Sequence, residues 1–182
     1  MEKLLTTKTV LKALYACASK EEGRAAIAGF FILPDRTVYS TDGRRLVMIK
    51  HDSFEKFELG NYEFQGKPVY NKNFGEVVIE KGENVGPDIS LVIKDMDKAP
   101  ICSHVFESSK FKGLNLSKLI CKIFDKYHTA INYELLDFFP DNECFDVTTK
   151  ALDVPDRAIK FTLVKCSGLE FSALVMPIKW KD

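Results

Sequence analysis

The chain has 182 residues, 46% of them hydrophobic, and its 26 basic side chains balance 26 acidic ones. That length and apolar content support a folded core in one domain or two small ones. A net charge of zero excludes a protein drawn to nucleic acid or anionic membrane by a strong overall field, so any such binding must use a local patch.

Five cysteines, Cys17, Cys102, Cys121, Cys144 and Cys166, are odd in number and form no CxxC pair. This fits reduced thiols in a cytoplasmic protein rather than a disulfide framework. The opening MEKLLTTKTVLKAL lacks the continuous apolar core of a signal peptide, and no later run is long enough to span a bilayer as a helix.

Taken in order, the chain predicts a short strand around Lys3 to Leu5. A helix of about three turns follows, because Val10, Leu11, Leu14, Tyr15 and Ala18 recur with helical spacing behind an N-cap at Thr6 or Thr7. Lys8 and Lys12 stand one turn apart beside its apolar face. The helix is expected to end near Gly23, followed by a strand over Ala28 to Leu33 and a turn at Pro34-Asp35-Arg36.

Asp42-Gly43 then lies between two β-rich runs and predicts a two-residue hairpin turn, pairing Tyr39 with Leu46, Val38 with Val47 and Thr37 with Met48. Residues 51–112 are broken by glycines and prolines. They predict strands at Val77 to Ile79 and Ile89 to Ile93, and no helix.

A second helix begins after Asn115, an N-cap, with Leu116, Leu119, Ile120, Ile123, Phe124 and Tyr127 on one face. Lys118, Lys122 and Lys126 follow at i to i+4 steps and align opposite that face. Ile131 to Leu136, Cys144 to Val147, Ile159 to Leu163 and Phe171 to Ile178 read as further strands. Helix followed by strands thus occurs twice, the order expected of a duplicated half-unit whose helices cover one side of antiparallel sheets, an α+β fold.

No catalytic constellation emerges. His51, His104 and His128 lack ligand spacing, so no metal site is expected, and no phosphate-binding glycine loop or nucleophile elbow is present. Cys102 and His104 alternate onto one strand face without a further partner and read as a structural thiol and a surface imidazole. No cofactor is implied. Lys118, Lys122 and Lys126 are the one clear basic row, and Lys8 and Lys12 would share its face if the two helices are neighbours; lysines there can contact phosphates without reading base sequence, and such contact is weak and salt-sensitive.

Two phrases at opposite ends of the chain, STDGRRL at Ser40 to Leu46 and ALVMPIKW at Ala173 to Trp180, resemble the TDGHRLA hairpin and the C-terminal VMPMR segment of bacterial DNA sliding clamps, the beta subunit of DNA polymerase III. Val10 to Ile32 and Leu114 to Tyr127 are similar to the helix-bearing segments of clamp domains. The resemblance implies a DNA-clamp-like fold built from strand-helix-strand half-units, about 1–58 and 113–182 around an irregular middle at 59–112, forming a single clamp-like domain over 1–182. It further implies a non-enzymatic processivity factor of DNA replication or repair, a homo-oligomer around double-stranded DNA, with Lys8, Lys12, Lys118, Lys122 and Lys126 lining the channel.

It also implies a pocket for clamp-binding peptides of polymerases or repair proteins. By matching position, this pocket is formed by Thr41, Gly43, Arg44, Arg45 and Leu46 with Val175, Met176, Pro177 and Ile178. The apolar members suit a peptide groove, and the arginines suit an acidic or carboxyl-ended peptide. The chain departs from the pattern in having fewer residues than a three-domain clamp subunit, in carrying Arg44 where the family has histidine, and in the added Trp180-Lys181-Asp182. The alternative is a clamp-fold interaction module that binds peptides without encircling DNA.

Overall fold

The computed structural model describes residues 1–21, 23–97, 102–107, 135, 138–139, 144–149, 159–163 and 169–176. Two compact units are present, one of Met1–Pro87 with Ser167–Phe171 and one of Asp88–Cys166 with Ser172–Asp182.

The first unit is an antiparallel sheet with a helix on one face. Its strands are β1 (Glu2–Thr7), β2 (Gly29–Ile32), β3 (Val38–Thr41), β4 (Arg45–Lys50), β5 (Gly60–Phe64), β6 (Val69–Tyr70) and β7 (Phe74–Lys81), in the order β1-β7-β5-β2-β3-β4, with β6 also on β7. Helix α1 (Lys8–Cys17) starts at Thr7, whose hydroxyl accepts from the Val10 amide at 3.4 Å. Val10, Leu11, Ala13, Leu14 and Cys17 are its buried side.

Strand alternation puts Leu4, Phe30, Val38, Val47, Ile49, Tyr62, Val77 and Ile79 on one face of the sheet, and all are buried. Within this core Phe30 stacks on Tyr62 at 5.4 Å and meets Phe54 edge-on at 5.7 Å. Gly29 is required by the close approach of β5: a Cβ there would stand 1.9 Å from the Tyr62 carbonyl oxygen.

The opposite face carries Phe31, Tyr39, Thr41, Leu46 and Asn61, and residues 82–87 cross it. The Gly82 amide donates to the Asn61 carbonyl at 3.0 Å, and the Tyr39 hydroxyl donates to the Pro87 carbonyl at 3.0 Å. Between these anchors the Asn84 amide reaches the Glu63 carboxylate at 3.1 Å. Asn61 is 3% exposed, and neither atom of its side-chain amide finds a hydrogen-bond partner.

Helix α1 ends at Cys17 rather than near Gly23, because the next residues have other bonds to make. Ala18 turns to an extended conformation, the Ser19 hydroxyl accepts from the Glu21 amide at 3.3 Å, and the Ser19 amide donates to the Ile27 carbonyl at 2.9 Å.

The hairpin also differs from expectation. Tyr39 pairs with Met48 and Thr41 with Leu46, so the turn centres on Gly43-Arg44 instead of Asp42-Gly43. Asp42 holds the first turn position by accepting from the Arg44 and Arg45 amides, both at 2.9 Å. Gly43, with φ 87°, takes the first central position, where a type II′ turn needs a positive φ.

The second unit contains β8 (Cys102–Glu107), β9 (Cys144–Thr149) and β10 (Ile159–Leu163), each antiparallel to the next. In β11 (Glu170–Val175), Leu174 and Val175 pair with Lys160 and Ile159. Helix α2 (Ser90–Asp97) replaces the strand expected over Ile89 to Ile93 and the helix-free reading of 51–112. The Asp88 carboxylate accepts from the Ser90 amide at 2.9 Å and the Ile93 amide donates to the Ile89 carbonyl at 3.0 Å. This local capping and the i to i+4 spacing of Ile89 and Ile93 outweigh the β-rich composition of the run. The helix expected over 115–127 lies outside the described residues.

Candidate functional site

The hairpin tip is fixed from beneath by charge and from the side by α1. Arg45 Nε donates to Asp42 Oδ2 at 3.0 Å, and its Nη2 donates to the Ala16 carbonyl at 2.6 Å. An orphan carbonyl of the last turn of α1 is thereby satisfied by a cation, the favourable sign at a helix C-terminus. Arg24 adds a bond from Nη1 to the Asp42 carbonyl at 3.2 Å, and its Nε pairs with Glu21 at 2.9 Å.

This geometry divides the residues assigned to the peptide pocket. Alternation sends Arg45 toward the helix side of the sheet and Leu46 to the other side, beside Thr41. Thr41 and Leu46 are buried, Gly43 and Arg44 are exposed at the tip, and Arg45 is largely buried by its structural bonds. Arg44 is therefore the hairpin cation presented to solvent. In the tail, Val175 is fully buried, whereas Met176 is 41% exposed directly after β11. Pro177 and Ile178 lie outside the described residues.

Lys8 and Lys12 are exposed on α1, on the side away from its buried residues. Lys118, Lys122 and Lys126 lie outside the described residues. At the other end of α1 a surface cleft of about 340 Å³ is lined by Tyr15, Ala18, Ala28 and Phe64, with Lys20 and Lys67 among its charged residues. The Tyr15 and Phe64 rings meet edge-on at 5.3 Å, and the Lys20 ammonium sits 4.5 Å from the Tyr15 ring centroid. Periodicity does not reveal this cleft, because its walls come from the end of a helix and from a strand about fifty residues later in the chain. Its one sequence signal is Lys20 just past the end of α1.

His51 and Cys17 make contacts that serve the fold. His51 Nδ1 is 2.9 Å from the Ser53 hydroxyl, which in turn donates to Thr6 Oγ1 at 2.8 Å. Cys17 is buried in the α1 core. Among the described residues no group of three or more His, Cys, Asp or Glu side chains is placed to hold a metal ion, and no helix is long and apolar enough to cross a membrane.

No protein-family model matches the sequence, and no curated protein matches it. The fold does have solved counterparts. The DNA polymerase III beta chain of Streptococcus pneumoniae TIGR4 is similar over 99% of this chain, with 11% sequence identity and a TM-score of 0.58. The Helicobacter pylori beta clamp, solved in complex with 3,4-difluorobenzamide, matches over 99% of this chain and 67% of its own, with 13% identity and a TM-score of 0.48. This chain spans 65% of the length of the S. pneumoniae protein. Among the described residues the architecture is mostly antiparallel with few helices, and it matches a DNA-clamp-like fold.

Proposed function

We propose that this protein is a cytoplasmic, sliding-clamp-like accessory factor of DNA replication or repair, which associates with duplex DNA as a homo-oligomer and binds short peptides of partner proteins. It has no catalytic activity of its own. The observation that carries this reading is the solvent-facing Lys8 and Lys12 on α1 in a chain whose fold is that of a clamp. With a net charge of zero, binding rests on a local row of point charges that contact phosphates and ignore base sequence. Lys118, Lys122 and Lys126 are further phosphate contacts in this reading, and Arg44, Leu46 and Met176 belong to the peptide site.

Duplex binding measured against salt tests the DNA half. Replacing Lys8, Lys12, Lys118, Lys122 and Lys126 by Ala lowers the slope of log affinity against log salt by about 0.9 for each phosphate that is no longer neutralised. An unchanged slope removes these lysines from the interface. Light scattering and retention on circular against linear duplex test encirclement. A closed oligomer held on circles and released from linear ends supports it, and a persistent monomer leaves a peptide-binding module that does not surround DNA.

A further inference from the structure

We infer that the cleft at the C-terminal end of α1 binds an unpaired nucleotide of a DNA strand, its base against the Tyr15, Ala18, Ala28 and Phe64 wall and its phosphates on Lys20 and Lys67. This rests on the reading that α1 faces nucleic acid. The wall is apolar and partly aromatic, the surface on which any base stacks without regard to sequence. At about 340 Å³ the cleft is at the small end of ligand sites, the right scale for one nucleotide rather than a peptide or a helix.

Charge selects an anion. Lys20 is held over Tyr15 and Lys67 is exposed, while the Glu21 carboxylate, which also lines the cleft, is paired with Arg24 at 2.9 Å, leaving the two lysines in excess. Continuity with the lysine row selects a strand over a free nucleotide. Lys8, Lys12 and Tyr15 follow at four- and three-residue steps along one side of α1. They span about 10 Å, the reach of a short run of phosphates along one strand. A strand tracking Lys8 and Lys12 is thereby delivered to the aromatic wall.

The test is fluorescence anisotropy of the full chain with a fifteen-nucleotide oligothymidylate, a duplex of the same length, and free thymidine monophosphate as competitor. Lys20→Ala with Lys67→Ala, both at exposed positions, is expected to weaken single-strand binding about tenfold at about 0.1 M salt and to lower its salt slope by about 1.4, leaving duplex affinity unchanged. Phe64→Leu, which keeps an apolar side chain against Phe30, weakens single-strand binding about fivefold with no change of slope.

Unchanged single-strand affinity and slope in the double variant overturn the inference, whatever the duplex does. An equal weakening on duplex overturns the assignment to an unpaired nucleotide. Competition by thymidine monophosphate at matched nucleotide concentration overturns the strand as its source. Absence of duplex binding alongside the expected single-strand effects supports the cleft and rejects the clamp reading instead.

Discussion

Arg45 and Asp42 form a largely buried ion pair at 3.0 Å, and the same guanidinium reaches the Ala16 carbonyl, so the hairpin tip and the end of α1 are locked as one piece. A planar fork makes both bonds at once, which the single ammonium of lysine does not reproduce. Arg45→Ala leaves the Ala16 carbonyl and the Asp42 carboxylate without this partner and is expected to cost about 2–3 kcal/mol, the range for a charged hydrogen-bonding group. Arg45→Lys recovers only part of it. Arg44→Ala, at the exposed tip, is expected to stay within about 0.5 kcal/mol of the parent. Urea denaturation of the three variants checks this, and equal stabilities would show that the lock contributes nothing.

Asn61 gives a second prediction, of opposite sign. Its amide is buried beneath Gly82 and bonds to nothing, and an unpaired buried polar group costs about 1–3 kcal/mol. Leucine has nearly the same shape and no polar atoms, so Asn61→Leu is expected to stabilise the first unit by about 1 kcal/mol or more. A rise in the urea midpoint at constant slope is the result to look for. A fall would show that leucine does not fit beneath Gly82 or that the amide is satisfied in solution, and would overturn the prediction.

These two sites show what can be read from the sequence and what cannot. The core of the first unit is legible, because the 3.6-residue period of Val10, Leu11 and Leu14 and the β-rich runs around Asp42-Gly43 are local signals that the packed structure reinforces. The hairpin register differs from expectation by one turn position. The deciding interactions are Asp42 bonding to the Arg44 and Arg45 amides, a local signal that the Asp-Gly pattern overshadowed, and Arg45 reaching Ala16, 29 residues away, a long-range bond that leaves no mark in the local pattern. The same limit separates Arg44 from Arg45 only in three dimensions, although alternation alone places Arg45 and Leu46 on opposite faces. Over Ile89 to Ile93, composition favours a strand and a single carboxylate two residues before Ser90 decides for helix.

Asp35 gives the fold a dependence on acid. Burial pushes its carboxyl up, but bonds from the Thr37 hydroxyl and amide, with the Lys50 ammonium at 3.4 Å, outweigh that and hold it below the ordinary aspartate value of 3.8. A carboxyl lowered by folding contributes stability that is complete above its unfolded value and disappears as pH falls through the folded one. The β2–β3 turn, where Arg36 sits at φ 63°, is therefore expected to loosen in acid below the unperturbed range. Melting curves of the parent and Asp35→Asn should differ at about pH 6 and converge toward about pH 2. A difference that persists undiminished at the acid end rules out this carboxylate as the cause.

Met176 tests the peptide site with the least risk to the fold. It follows β11 at 41% exposure, while Val175 before it is fully buried, so a charge is tolerated at one position and not at its neighbour. Flexible thioethers suit surfaces that accept varied apolar side chains, and an exposed methionine beside a buried strand end has that character. Met176→Asp is expected to leave the melting temperature within a few degrees and to weaken binding of a clamp-type peptide by at least about tenfold, the consequence of about 1.4 kcal/mol. Arg44→Ala, by removing a solvent-facing charge, is expected to slow association with an acidic peptide more than it speeds dissociation, and added salt should erase that difference. Calorimetry for the first variant and stopped-flow for the second separate the apolar contribution from the electrostatic one. Full retention of binding by Met176→Asp in a folded protein would detach the tail from the site, leaving the hairpin to be judged alone.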